Sequence, residues 1–431
     1  MNQNSRSAEI QHVKKTIPAR WLPIWSVVAA FGTYFCMYAF RKPFTAAGYE
    51  GMNYGGLGFK TILVTSQVFG YMLSKFIGVK VISELNPEHR SRAIIVMILG
   101  AQLSLILFAL TPAPYNAIML FFNGLSLGMI FGLVLGFLEG RRNTEALTAG
   151  LCASFILADG MTKSVGGYFM KMGVDQISMP ALAGFLFLGP MFFFVWMLSK
   201  IPAPSAEDQK ARNHRSSMNR NDRRQFFRKY AAGLVPLMVC YLLITVMRSI
   251  RADFATELWK DLGTSGQPAV FTRSEFYVTI CVMLASGLSI FIRNNRIAFF
   301  LSLGNSIVGS MLIIIAAVGW NQGFIEDGFT LMVLLGLGLY LPYVSVHTTV
   351  FERFLAMTRD KGNIGYLMYL ADAFGYLGYV AVMICRNYFG APDQLLNFFL
   401  RTCIVLGAIS MLCLAISMIA FRKIKVAPDL V

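Results

Sequence analysis

Apolar runs of roughly membrane-spanning length recur along the whole chain, separated by short polar stretches. Six lie near residues 22–47, 58–80, 93–111, 115–138, 146–170 and 179–200. Six more follow near 231–252, 275–293, 297–319, 328–351, 362–385 and 395–421. The pattern predicts an all-α membrane protein whose twelve transmembrane helices form two pseudo-symmetric six-helix bundles, at 21–200 and 230–421. Tails occupy 1–20 and 422–431, and the polar, strongly basic interval 201–229 reads as a solvated linker near lipid headgroups.

Composition removes the soluble alternative. Only 14% of residues are charged and 56% are hydrophobic, whereas soluble chains carry about 25% charged residues. A net charge of +16 invites a nucleic-acid reading. However, the lysines and arginines sit between apolar runs and not along one face, which suits membrane orientation and not a nucleic-acid footprint. Lys14, Lys15 and Arg20 precede the first run, and Arg90, Arg92, Arg141, Arg142, Arg293, Arg296, Arg353, Arg359, Lys361, Arg422, Lys423 and Lys425 mark alternate loops. The opposite loops, such as 111–115 and 321–327, are nearly free of them. Both termini are therefore expected in the cytoplasm, with the protein integral to a bacterial inner membrane. The first 20 residues are polar, so no signal peptide is expected. The expected partners are the bilayer and a small anionic solute, with no nucleic acid, and a monomer is expected.

The halves look duplicated. Leu-Ala-Asp at 157–159 recurs at 370–372, and the same offset carries Glu139 onto Glu352. Seven scattered cysteines form no CxxC pair, and four histidines lie far apart. No cofactor, metal or catalytic constellation is expected, and the chain does not read as an enzyme.

What remains is a short set of polar residues inside spans. Arg41 lies in the last part of the first run beside Lys42, and Arg248 and Arg251 hold a similar place on the seventh. A guanidinium in hydrocarbon is costly, so it either faces a polar interior or snorkels to headgroups. Lys75 sits inside the second span with the same two options. Asp159 and Lys163 are i,i+4 neighbours that form a structural bridge or, beside a pore, leave Lys163 to reach solute. Asp372 has no cation in its own helix, so it needs one from elsewhere or takes up a proton. His347, five residues after Pro342, is a core histidine or a proton-linked one. Glycines 124, 128, 132 and 136 make a ladder suited to close helix packing.

Several of these residues fall in motifs. Tyr38-Ala-Phe-Arg41-Lys42-Pro-Phe44, Ser74-Lys75-Phe76-Ile77, Arg248 with Asp253-Phe254, and Phe374-Gly-Tyr-Leu-Gly378 resemble the organophosphate:phosphate antiporter branch of the major facilitator superfamily. Tyr340-Leu-Pro342 and His347 fit loosely. The resemblance implies that Arg41 and Arg248 grip a substrate phosphate, with Lys75 helping, and Lys163 and Tyr38 complete the expected substrate-binding set. Asp159, Asp372, His347 and Arg251 are the expected coupling or gating residues. The chain departs from the pattern at Lys163, where the family has histidine, and in the loop after the second span. The function expected is secondary transport of a small organic anion by alternating access. Proton-coupled symport of another polar solute, or a non-transporting membrane sensor on the same fold, are the alternatives.

Overall fold

The computed structural model describes residue 18 and residues 20–424, apart from 140, 142, 143, 204–219, 265, 266, 291, 293, 359, 361–363 and 386–394. Most of the expected linker and both tails therefore lie outside the described residues. So do Lys14, Lys15, Arg142, Arg293, Arg359, Lys361 and Lys425, on which part of the orientation reading rests.

The long helices are α1 (Leu22–Tyr38), α2 (Phe59–Glu84), α3 (Arg90–Leu110), α4 (Ala117–Leu127 and Ile130–Leu138), α5 (Thr144–Lys171) and α6 (Met179–Ser199). The second set is α7 (Arg220–Asp253), α8 (Ala269–Ile290), α9 (Asn295–Asn321), α10 (Gly328–Ser345, running on through a π turn into Phe351–Thr358), α11 (Ile364–Cys385) and α12 (Leu395–Arg422). Among the described residues, nine of these are both long and apolar enough to cross a bilayer. The other three are α1, α2 and α5. α1 has only 17 residues, and α2 and α5 carry Lys60, Lys75, Asp159 and Lys163 within otherwise apolar sequence.

Two boundaries differ from the sequence reading. The first run ends as α-helix at Tyr38, because Pro43 lacks an amide hydrogen and opens a separate 3-10 turn, Pro43–Ala46. At the other junction, α7 begins at Arg220, inside the interval expected to be linker. Phe226 and Tyr230 give those extra turns a buried face against Phe354. Between α1 and α2, strands Asn53–Tyr54 and Leu57–Gly58 form a minimal antiparallel hairpin. Gly55 and Gly56 supply the positive φ of 59° and 79° that its turn demands.

Packing reveals the duplication more clearly than the sequence does. In the first set, α1 packs on α5 and α6, α2 on α4, and α3 on α4 and α6. In the second, α7 packs on α11 and α12, α8 on α10, and α9 on α10 and α12. Adding six to each helix number converts one set of contacts into the other. The two main contacts between sets, α2 with α11 and α5 with α8, also exchange under that shift. Close approach between α2 and α4 depends on glycine. A Cβ on Gly70 would lie 2.0 Å from the Phe121 carbonyl oxygen, and one on Gly124 2.0 Å from that of Gln67.

Candidate functional site

The break after α1 places Arg41. Beyond Tyr38 the chain tightens, with the amides of Phe40 and Arg41 donating to the carbonyls three residues back. The carbonyls of Phe40 and Arg41 then need donors in a region where irregular backbone survives only if protein satisfies it. Asn123 of α4 donates to the first at 3.0 Å, and Gln67 of α2 donates to the second at 2.9 Å. Gln67 also donates to the Asn123 amide oxygen at 2.8 Å, so the two holders brace each other. The Arg41 side chain, 3% exposed, then stands over the Tyr71 ring, with its guanidinium carbon 3.8 Å from the centroid. Tyr38 and Tyr376 flank it at 5.7 and 5.6 Å.

Arg248 approaches from the other half. It is buried on α7, with its guanidinium carbon 4.4 Å from the Tyr343 ring centroid. Its Nη2 lies 3.5 Å from the Tyr376 hydroxyl. Tyr376 on α11 is therefore the side chain both arginines share. Neither Nε donates to a protein atom among the described residues. The headgroup-anchor option for Arg41 and Arg248 does not describe this geometry.

Charged layers lie on either side of this centre. Toward the ends of α1 and α7 that carry Lys42 and Asp253, Lys42 bonds Asp253 across the two halves and stands 3.7 Å from Asp159. Lys163 bonds Asp159 within α5. Lys60 reaches Glu257 at 2.7 Å and the Thr45 carbonyl at 2.8 Å. Toward the opposite end, Lys75 of α2 donates to Asp372 of α11 at 2.7 Å. The other Asp372 oxygen accepts from the Tyr241 hydroxyl and lies 3.5 Å from His347 Nε2. His347 Nδ1 is 3.0 Å from the Tyr343 carbonyl. Further along that end, Arg353 pairs with Glu145 at 2.7 Å, again across the halves.

One face of α11 touches all three layers. Asp372, Tyr376 and Tyr379 are spaced i, i+4 and i+7, covering about 10 Å of helix, and Tyr379 donates to Asp253 at 3.0 Å. The cavity at the centre is lined by Tyr34, Tyr38, Tyr71, Lys75, Tyr343 and Asp372, among others. Its volume is about 10 Å³, room for roughly one water. The protein is thus closed around its own centre, and any organic solute would require one end to open.

Of the residues singled out from sequence, Tyr38, Lys75, Asp372 and His347 line this cavity, and Arg41 and Arg248 stand beside it over the rings of Tyr71 and Tyr343. Asp159 and Lys163 remain paired with each other in the layer beside it. Arg251 turns away, donating to Glu275 of α8 at 2.6 Å and to the Met332 carbonyl at 2.9 Å. Sequence reasoning passed over Tyr71, Tyr241, Tyr343, Gln67, Asn123 and Glu275, and met Tyr376 only as part of the Phe374–Gly378 motif. The available signal was helical spacing. Tyr71 with Lys75, Asp372 with Tyr376, and Tyr343 with His347 are all i,i+4 pairs on spans already carrying a charge or a histidine.

Over residues 43–424 the sequence matches the family of unknown function DUF5690. The chain belongs to that family. A search for sequence relatives among curated proteins finds no match. Many solved structures share the arrangement, three of which illustrate it. A D-xylose–proton symporter aligns with TM-score 0.63 at 11% identity, covering 91% of this chain and 96% of its own. The human organic anion transporter MFSD10 (TETRAN) aligns with TM-score 0.59 at 13% identity, covering 93% and 100%. The major facilitator superfamily proton:xylose symporter XylE, bound to 6-bromo-6-deoxy-D-glucose, aligns with TM-score 0.62 at 12% identity, covering 95% and 97%. At these identities the likeness speaks to fold, and the fold of this DUF5690 protein is that of the major facilitator superfamily.

Proposed function

We propose that the protein is a secondary transporter moving a small organic anion by alternating access, with phosphate esters the first class to test. One observation carries this reading. Lys42, Lys60, Lys75, Lys163 and Arg251 are buried and each has a carboxylate within 4.0 Å. Arg41 and Arg248 are equally buried, come from opposite halves, and have no carboxylate at that distance among the described residues. An uncompensated pair of guanidiniums in a dry interior is where an anion gains most, and its forked donors suit phosphate or carboxylate oxygens. An anion bridging the two would favour closure of one half on the other, because it binds the closed arrangement better than the open one.

The central test is flux in proteoliposomes. Arg41→Ala and Arg248→Ala should abolish uptake of phosphate esters or other organic anions while the purified variants stay folded. Uptake at the wild-type rate by both variants would refute the site. Ligand choice is narrowed by a thermal-shift screen of phosphate esters, sugar acids and peptides, since a specific solute stabilises the form it binds.

A second reading is proton-coupled symport of a polar solute, such as the sugar named for two of the structural neighbours. It rests on the Lys75–Asp372–His347–Tyr241 cluster, which places a histidine beside a carboxylate at the edge of a tyrosine-lined cavity. Uptake unaffected by an imposed proton gradient would argue against it. We also propose cytoplasmic termini, a bacterial inner-membrane location and a monomeric state. C-terminal reporter fusions and mass measurement of the detergent complex test these.

A further inference from the structure

The first turns of α7 form a surface separate from the central site. Phe226 and Tyr230 are buried there, edge-on to Phe354 with ring centroids 6.0 and 5.0 Å apart. Lys229 pairs with Asp360 at 2.6 Å. These contacts fix the rotation of the helix. Arg223 and Phe227 then border this buried stripe, and Arg224 and Arg228 lie on the outer side, each an i,i+4 pair. Together with Tyr366 of α11 they line an open groove of about 650 Å³. The Arg223 guanidinium carbon stands 6.0 Å from the Tyr366 ring centroid. The five lining side chains are three arginines and two aromatics, with no carboxylate among them. Apolar sequence begins within a turn of the groove, at Tyr230-Ala231-Ala232-Gly233-Leu234.

We propose that this groove binds the phosphodiester headgroup of an anionic membrane lipid. Three guanidiniums facing one space carry like charge, and each can present paired donors to phosphate oxygens. The half-buried Phe227 and Tyr366 rings offer an apolar wall that suits the glycerol and first acyl carbons of a lipid and gives a free phosphate nothing. The groove lies where α7 passes from basic to apolar sequence, the change of composition that marks a membrane–water interface. Basic pockets at this level bind anionic headgroups in preference to zwitterionic ones. Nothing here depends on the reading of the central site, because Arg41 and Arg248 lie elsewhere.

The test uses the full chain in neutral detergent, with phosphatidylglycerol, phosphatidylcholine or inorganic phosphate added. Thermal unfolding and native mass spectrometry supply the readouts. Phosphatidylglycerol should raise Tm and remain bound in the mass spectrum, while phosphatidylcholine and inorganic phosphate should do neither. The variant R224Q/R228Q changes two exposed side chains and is expected to fold; adding R223Q completes the set. Phosphatidylglycerol affinity should fall at least tenfold in the triple variant. A control removing three exposed cations elsewhere, R92Q/K200Q/K423Q, should keep it. Equal loss in triple variant and control would overturn the proposal, leaving only diffuse attraction to a basic protein. Equal retention in the triple variant and wild type would overturn it too. A shift with inorganic phosphate that the triple variant abolishes would overturn the lipid assignment in favour of a soluble phosphate.

Discussion

Asp159 and Asp372 each end the tripeptide Leu-Ala-Asp, and they hold corresponding places on α5 and α11. Their surroundings are not alike. Asp159 sits between Lys163 of its own helix and Lys42, and Lys42 is bonded in turn to Asp253. Two cations and two carboxylates close that group. Asp372 has one lysine, supplied by the opposite half, and completes its shell with the Tyr241 hydroxyl and His347. Duplication has copied the backbone position but not the charge balance. The first half contributes the lysines Lys42, Lys60 and Lys75, and the second half answers with Asp253, Glu257 and Asp372. Each end of the molecule is thereby fastened across the halves, and neither fastening neutralises Arg41 and Arg248 between them.

If that contrast is right, each aspartate should be costly to remove, and they should differ in what else their loss disturbs. Asp372→Ala strands Lys75 in a buried site with no other carboxylate within 4.0 Å among the described residues, and removing one partner of a buried pair costs about 3–5 kcal/mol. Replacing both, as Lys75→Met with Asp372→Leu, should recover most of the stability while leaving transport impaired. Denaturant unfolding in detergent measures the first effect and proteoliposome flux the second. An Asp372→Ala protein as stable as wild type would dissolve the contrast. Asp159→Ala should also cost about 3–5 kcal/mol, because it strands the buried Lys163, although Lys42 keeps Asp253. Its sharper consequence should be weakened closure at that end, seen as faster thiol labelling of Ser164→Cys, whose native hydroxyl donates across the halves to the Pro268 carbonyl at 2.5 Å.

This asymmetry also marks the limit of what the sequence discloses. Periodicity and loop charge are local, so twelve spans in two sets could be read directly. The pairing of Asp372 with a cation from another helix could be posed as a need, but Lys75 could not be named, since the two residues are 297 positions apart. The tyrosines were illegible for another reason. Tyr71, Tyr343 and Tyr376 are counted among the hydrophobic residues, and only their convergence on guanidiniums distinguishes them. Glu275 was hidden the same way, lying in a span between Ser274 and Phe276 with its partner Arg251 on a different helix. The start of α7 was misjudged because basic composition outweighed two aromatic anchors, Phe226 and Tyr230.

The contact between halves near Asp372 can be probed without touching charge. Tyr369 lies one turn before Asp372 on α11 and fits against α4, where a Cβ on Gly132 would lie 1.7 Å from its hydroxyl oxygen. Gly132→Val should therefore destabilise the closed form by about 1–3 kcal/mol through overpacking. Tyr369→Ala in the same protein should relieve most of that loss. A double-mutant cycle on unfolding midpoints gives the coupling directly. Additive effects would show that the notch in α4 does not hold Tyr369.

A carboxylate that needs no cation completes the comparison. Asp327 caps α10 at the end bearing Lys42 and Asp253, accepting from the Phe329 amide at 3.2 Å, the Thr330 amide at 2.9 Å and the Thr330 hydroxyl at 2.7 Å. Those hydrogen bonds, the Thr330 hydroxyl foremost, hold its carboxyl below the ordinary value of 3.8. A group whose pKa is lowered on folding contributes stability above its unfolded pKa and loses it as pH falls through the folded one. Asp327→Ala should cost about 1 kcal/mol at neutral pH. Asp327→Asn, which can still cap, should cost less, and the gap between Asn and wild type should close as pH drops below 3.8. Persistence of that gap in acid would mean the carboxylate's charge is not what stabilises the turn. The effect is small because water already solvates this group, whereas the buried Asp372 relies on Lys75, Tyr241 and His347 in place of water.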